Sequence, residues 1–123
     1  MTQLVAPPGW PSAVRPPGAP RWEDTATSWL LDRCPPEYRS YAVLRRHDVV
    51  LARFAVLHVE AGQAAVRRGL SEARSELRDL VDQDTVEAAV QTWHVEAARL
   101  MAERRAVGLV EEALQGRRFV ARL

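Results

Sequence analysis

The chain contains no lysine, no asparagine and no isoleucine, and only one cysteine among its 123 residues. A single thiol, Cys34, excludes a disulfide framework within the chain. No apolar run approaches the ~18 residues of a membrane span, so none is expected. The first residues are rich in proline and lack the apolar core of a secretory signal, so a cytoplasmic location is expected. No glycine-rich phosphate loop is present. The missing residue types have AT-rich codons, whereas alanine, arginine, glycine and proline have GC-rich ones. The all-arginine basic set of 17 residues therefore reads as the coding bias of a high-GC bacterium. It is weak evidence for phosphate recognition, although guanidinium groups suit that task. A net charge of +1 provides no global steering toward nucleic acid or a membrane.

What is present is helical. A hydrophobic fraction of 47% with 27% charged residues is a globular composition, and a chain of this length is one domain. Six of the eight prolines fall within residues 1–21. This stretch is expected to be an extended, polyproline-like arm carrying Trp10, either free or docked on its own helices or a partner. Residues 22–33 form a short amphipathic helix whose apolar face carries Trp22, Ala26, Trp29 and Leu30. Glu23 and Asp24 suit its N-terminal dipole, and Pro35 and Pro36 stop it. A helical connector follows, with Tyr38, Tyr41, Val43 and Leu44 expected to cover the end of the core.

From Asp48 onward two rows of residues recur every seven positions: Val49, Val56, Gln63, Leu70, Leu77 and Ala52, Val59, Val66, Ala73, Leu80. Nine of these ten are apolar, which predicts a helix over about 48–81 with a coiled-coil seam. Gly62 and Gly69, also seven apart, permit either a close approach of another helix or a kink. The segment 82–84 breaks the pattern, and Asp84 with Glu87 resembles a capping box. A second helix is predicted over about 85–115, with Val86, Val90, Trp93, Ala97, Leu100, Val107 and Leu114 on its seam. Arg104 and Glu111 interrupt that seam, and Gly116 stands where a helix C-terminal glycine belongs. Residues 117–123 form a short basic tail containing Phe119.

Two such helices joined by a short turn must run antiparallel. Each is ~50 Å long, against ~35 Å for a compact chain of this length. The fold class is therefore all-α: a long antiparallel helical hairpin plus the short N-terminal helix over 22–33. The excess seam needs a partner, and a second copy is the simplest. A homodimeric bundle is expected.

The tetrapeptide His-Val-Glu-Ala occurs twice, at 58–61 and 94–97. Residues two apart on a helix point away from one another and cannot share a metal ion. The di-iron spacing requires Glu three residues before His. Leu44, Ala55 and Gln91 occupy those positions before His47, His58 and His94. No metal, cofactor or catalytic residue is assigned. Level pairing in the hairpin sets His58 opposite Gly108, His94 opposite Glu72 and Arg67 opposite Arg99.

Four arginine doublets stand at 45–46, 67–68, 104–105 and 117–118. Arg67, Arg68, Arg99, Arg104 and Arg105 should gather near the middle of the hairpin, where they form a candidate anion or nucleic-acid patch. The competing reading is a salt-bridged face, with Arg68 to Glu72 and Arg99 to Glu103 at helical spacing. The expected function is a non-enzymatic interaction or adaptor protein that self-associates and binds a protein partner through Trp10, Trp22, Trp29 and Phe119. The alternative is a nucleotide- or nucleic-acid-binding regulator using the arginine patch.

Overall fold

The computed structural model describes residues 4–116. Among these the chain is all-helical. Helix α1 spans Trp22–Asp32, a 3₁₀ turn spans Pro36–Ser40, and α2 spans Ala42–Arg46. The long helices are α3, Asp48–Leu77, and α4, Gln83–Leu114. Helices α3 and α4 form the expected antiparallel hairpin. Phe119 and the rest of the basic tail lie outside the described residues.

The chain divides into two compact units, Met1–His58 with Arg105–Leu123, and Val59–Arg104. In the first unit the proline-rich arm is bound down. Trp10 Nε1 donates to the Val14 carbonyl at 2.9 Å, and the Trp10 and Trp22 rings lie 6.1 Å apart. Turns at Pro7–Trp10, Pro11–Val14 and Pro16–Ala19 interrupt the expected extended path. Gly9 and Gly18, both at positive φ, allow the chain to reverse. Residues along the arm therefore reach the unit's core: Val14 is buried with Trp22, Ala26, Trp29, Leu30 and Leu44.

The apolar stripe of α3 differs between the units. In the first it is broad, with Leu51, Ala52, Ala55 and Val56 all buried opposite Val107 and Val110 of α4. Such a width is what a helix in a globular core needs. In the second it narrows to Val59, Val66 and Ala73, seven apart, with Val86, Val90 and Leu100 from α4. The predicted heptad ends, Val49 and Leu80, are exposed.

The hairpin turn lies earlier than the periodicity suggested. Helix α3 ends at Leu77, four residues before 81, and α4 begins at Gln83, two before 85. The capping residue is Asp82, not Asp84: its Oδ1 accepts the Thr85 N–H at 2.8 Å. Level partners move with the turn, so Gly62 meets Leu100 and Gly69 meets Trp93. The expected pairing of Arg67 with Arg99 is displaced accordingly.

Helix α3 also corrects the expectation about apolar length. It holds an 18-residue window of mean hydropathy 1.4 with no more than two charged side chains, long and apolar enough to cross a membrane by length and composition alone. His58, Gly62 and Gln63 break the apolar run but barely lower such an average. The charges in 49–66 are Arg53 and Glu60, and both are paired with α4. Arg53 Nε lies 3.3 Å from Glu111 Oε2, and Arg104 Nε lies 3.1 Å from Glu60 Oε2.

Candidate functional site

The tryptophans singled out in the sequence lie in or against the core of the first unit. Trp22 and Trp29 are 7% and 6% exposed, inside the chain's own core. The Arg33 guanidinium lies 4.8 Å from the Trp29 ring centroid. Trp10 is half-buried against Trp22. Burial of two large indoles holds the first unit together, and it withdraws them from any partner in this conformation.

The arginines are distributed among carboxylates. Arg68 Nε donates to Glu72 at 3.0 Å. Arg99 makes a bidentate contact with Glu96, at 2.7 and 2.9 Å, and the charge of Glu103 also acts on it. Arg104 is joined to Glu60 across the hairpin. Hydrogen bonding from Arg68 and Arg99 holds Glu72 and Glu96 below the usual carboxylate range. Glu76 is raised by its hydrogen bond to Glu72 and the repulsion between them. Arg67 is exposed, and no ion pair involves it among the described residues. Arg105 belongs to the first unit, where it lies beside the arm at Gly9. Three of the five guanidiniums are thus already neutralised.

The two His-Val-Glu-Ala copies diverge in the same way. His58 packs against Tyr38, with ring centroids 6.2 Å apart, and Glu60 pairs with Arg104. His94 is exposed, and Glu96 pairs with Arg99. Among the described residues no group of three His, Cys, Asp or Glu side chains is placed to hold a metal ion. Burial pushes the Cys34 thiol up to about 11, with Arg39 opposing only weakly. A thiol so placed stays protonated near neutrality and is a poor nucleophile.

What sequence reasoning missed is an exposed aromatic surface in the first unit. Tyr38 on the 3₁₀ turn is its hub. Its ring meets Phe54 edge-on at 5.9 Å, Tyr41 at 6.1 Å and His58 at 6.2 Å. Phe54 is 42% exposed and the adjacent Leu57 56%. Tyr41 and Val43 were expected to cover the core, yet of that connector only Leu44 is fully buried. The reason is local: after the turn at Pro36–Ser40 Leu44 faces inward and Tyr41 stays on the outer side, beside Tyr38. One sequence signal was present. Phe54 and Leu57 belong to neither heptad row, so they are large apolar residues on the face that should be polar.

The surface therefore offers two phenol hydroxyls, an imidazole and a ridge of apolar side chains on a well-packed helix. No protein-family model, curated protein or solved structure matches this chain.

Proposed function

We propose that this protein is a non-enzymatic helical interaction protein, self-associating and cytoplasmic, whose task is to dock a protein partner. The observation that supports the reading most is the exposed Tyr38, Tyr41, Phe54, Leu57 and His58 surface. Tyrosine and phenylalanine are enriched where proteins meet, and a contiguous apolar patch left in water marks a contact site. Homodimer formation through the uncovered parts of the α3 and α4 faces belongs to the same proposal. The pairing of Arg53 and Glu60 with α4 supports an α3 that packs in water and does not span a bilayer.

The nucleotide- or nucleic-acid-binding alternative is the weaker reading, because Arg68, Arg99 and Arg104 are engaged by carboxylates. Size-exclusion chromatography with light scattering, on protein gently purified from its native cells, tests the proposal. The expected result is a homodimer or a complex containing a second protein in fixed ratio, identified by mass spectrometry. A bare monomer that binds no protein would overturn it. Salt-sensitive retention of nucleic acid would transfer support to the alternative.

A further inference from the structure

The two ends of α4 carry opposite charge. Around the hairpin turn, residues 74–87 hold two arginines, Arg74 and Arg78, against five acids, Glu76, Asp79, Asp82, Asp84 and Glu87, which leaves −3. Arg74 is fully engaged by Glu87 through two hydrogen bonds, at 3.1 and 3.0 Å. Within this stretch Arg78 then stands against Glu76, Asp79, Asp82 and Asp84, and none of the three aspartates forms an ion pair among the described residues. Between Asp79 and Asp82 the turn presents Leu80, 75% exposed, more than any other large apolar side chain among the described residues, and Val81, 40% exposed. The Leu80 and Val81 N–H groups both donate to the Leu77 carbonyl, at 2.9 and 3.1 Å, and Asp82 caps α4. The tip is thus an apolar point held in shape by its own backbone and flanked by an excess of carboxylates. Beyond the other end of α4, residues 117–123 carry Arg117, Arg118 and Arg122 without an acid, a charge of +3, together with Phe119, Val120 and Leu123. That segment matches the tip in apolar content and in size of charge, with the opposite sign.

Building on the self-association proposed above, we infer that the hairpin tip of one copy binds residues 117–123 of a second copy, in a closed antiparallel homodimer. Phe119 and Val120 cover Leu80 and Val81, and Arg117 and Arg118 meet Asp79 and Asp84. One chain cannot make this contact with itself. Gln83 and Leu114 end a single helix of 32 residues, roughly 48 Å long at ~1.5 Å per residue, whereas seven residues reach ~25 Å at most. Two α4 helices aligned antiparallel set each tip beside the other copy's tail, so both contacts form at once and twofold symmetry closes the pair. Parallel pairing would oppose tip to tip and tail to tail, like charge against like. A nucleic acid or an anionic bilayer suits the tail but is repelled by the tip, and a metal cation gains nothing from Leu80.

Sedimentation velocity of the full chain over a range of salt and protein concentration tests the pairing. The native chain should form a dimer that weakens as salt rises. Asp79→Arg with Asp84→Arg, and separately Arg117→Glu with Arg118→Glu, should each weaken it by about tenfold or more while the helical circular dichroism is kept. Asp82 is left in place, so α4 keeps its cap. The chain carrying all four substitutions should dimerise nearly as well as the native one, because the opposed charges are exchanged and the pairing is restored. Misfolding cannot mimic that recovery. A dimer indifferent to both reversals, or a fourfold variant that stays dissociated, overturns this contact and leaves the self-association reading standing. Assemblies that grow past a dimer overturn the closed pairing. A chain that is monomeric throughout overturns both the contact and the self-association beneath it, and co-elution of a second protein from native cells would then be the remaining support for docking.

Discussion

Gly62 and Gly69 sit seven residues apart on the same helix, and replacing each by alanine should move stability in opposite directions. Both substitutions gain ~1 kcal/mol of helix propensity. A Cβ at Gly62 meets Leu100 Cδ1 at 3.4 Å, an ordinary contact, so the whole gain is kept. A Cβ at Gly69 falls 2.3 Å from Trp93 Cε2 and 2.6 Å from Cζ2. The indole is rigid, so it must swing away or push the helices apart. Trp93 is half-buried. Losing about half the ~150–250 Å² that an aromatic side chain buries costs roughly 2 kcal/mol at ~25 cal/mol per Å². The expected net effect of Gly69→Ala is a loss of ~1 kcal/mol, within the range of overpacking. With ~1 kcal/mol worth about 4 °C for a chain of this size, the two variants should differ in Tm by about 8 °C.

Thermal and urea unfolding followed by far-ultraviolet circular dichroism measure both. The decisive comparison is a double-mutant cycle with Trp93→Ala. Without the indole, Gly69→Ala should become stabilising by ~1 kcal/mol, so the coupling is roughly 2 kcal/mol, the lost aromatic burial. If Gly69→Ala stabilises the wild-type chain as much as Gly62→Ala does, the close approach of Trp93 to α3 is refuted.

Four further perturbations test the remaining structure. Arg53→Met leaves Glu111, 9% exposed, without its cation; a loss of about 2 kcal/mol is expected in urea titrations, and Arg53→Met with Glu111→Met should recover most of it. The Cys34 thiol is raised in the folded chain to about 11 from 9.0. The unfolded chain therefore loses that proton first, so stability is full below pH 9 and declines as pH rises toward 11; Cys34→Ala should flatten that decline, and the native thiol should react with a disulfide reagent far more slowly than the unfolded one. Asp82 is held below its usual range by the Thr85 N–H. Its contribution is present above the unfolded value and lost as pH falls through the folded one, so Asp82→Ala should lower Tm at pH 7 and matter little in strong acid. Arg21 precedes α1 at φ 60, a left-handed conformation that costs ~1 kcal/mol for a residue with a side chain; Arg21→Gly should raise Tm despite breaking the exposed pair with Asp24.

Periodicity located the helices because burying a stripe dictates spacing, and it placed α1 to within one residue of its observed end at Asp32. It could not place the hairpin turn. Residues 78–81 continue an apolar pattern with Leu80, but α3 has already ended at Leu77, and Asp82 caps α4 two residues earlier than Asp84 would. That shift changes the cross-helix pairings, so Gly69 finds Trp93 and Arg104 finds Glu60. The aromatic surface was harder still to read. A lone Tyr or Phe carries no label for inside or outside, and the connector's composition suits a core lid as well as a contact face. Leu44 took the inward position, which left Tyr41 outside. The legible trace was Phe54 with Leu57, apolar residues off the seam of a helix that otherwise obeys it. A helix that fills its core with one stripe and still keeps a second apolar ridge in water retains that ridge at a cost in solubility. Docking of a partner, as proposed above, is the physical account we offer for such a cost.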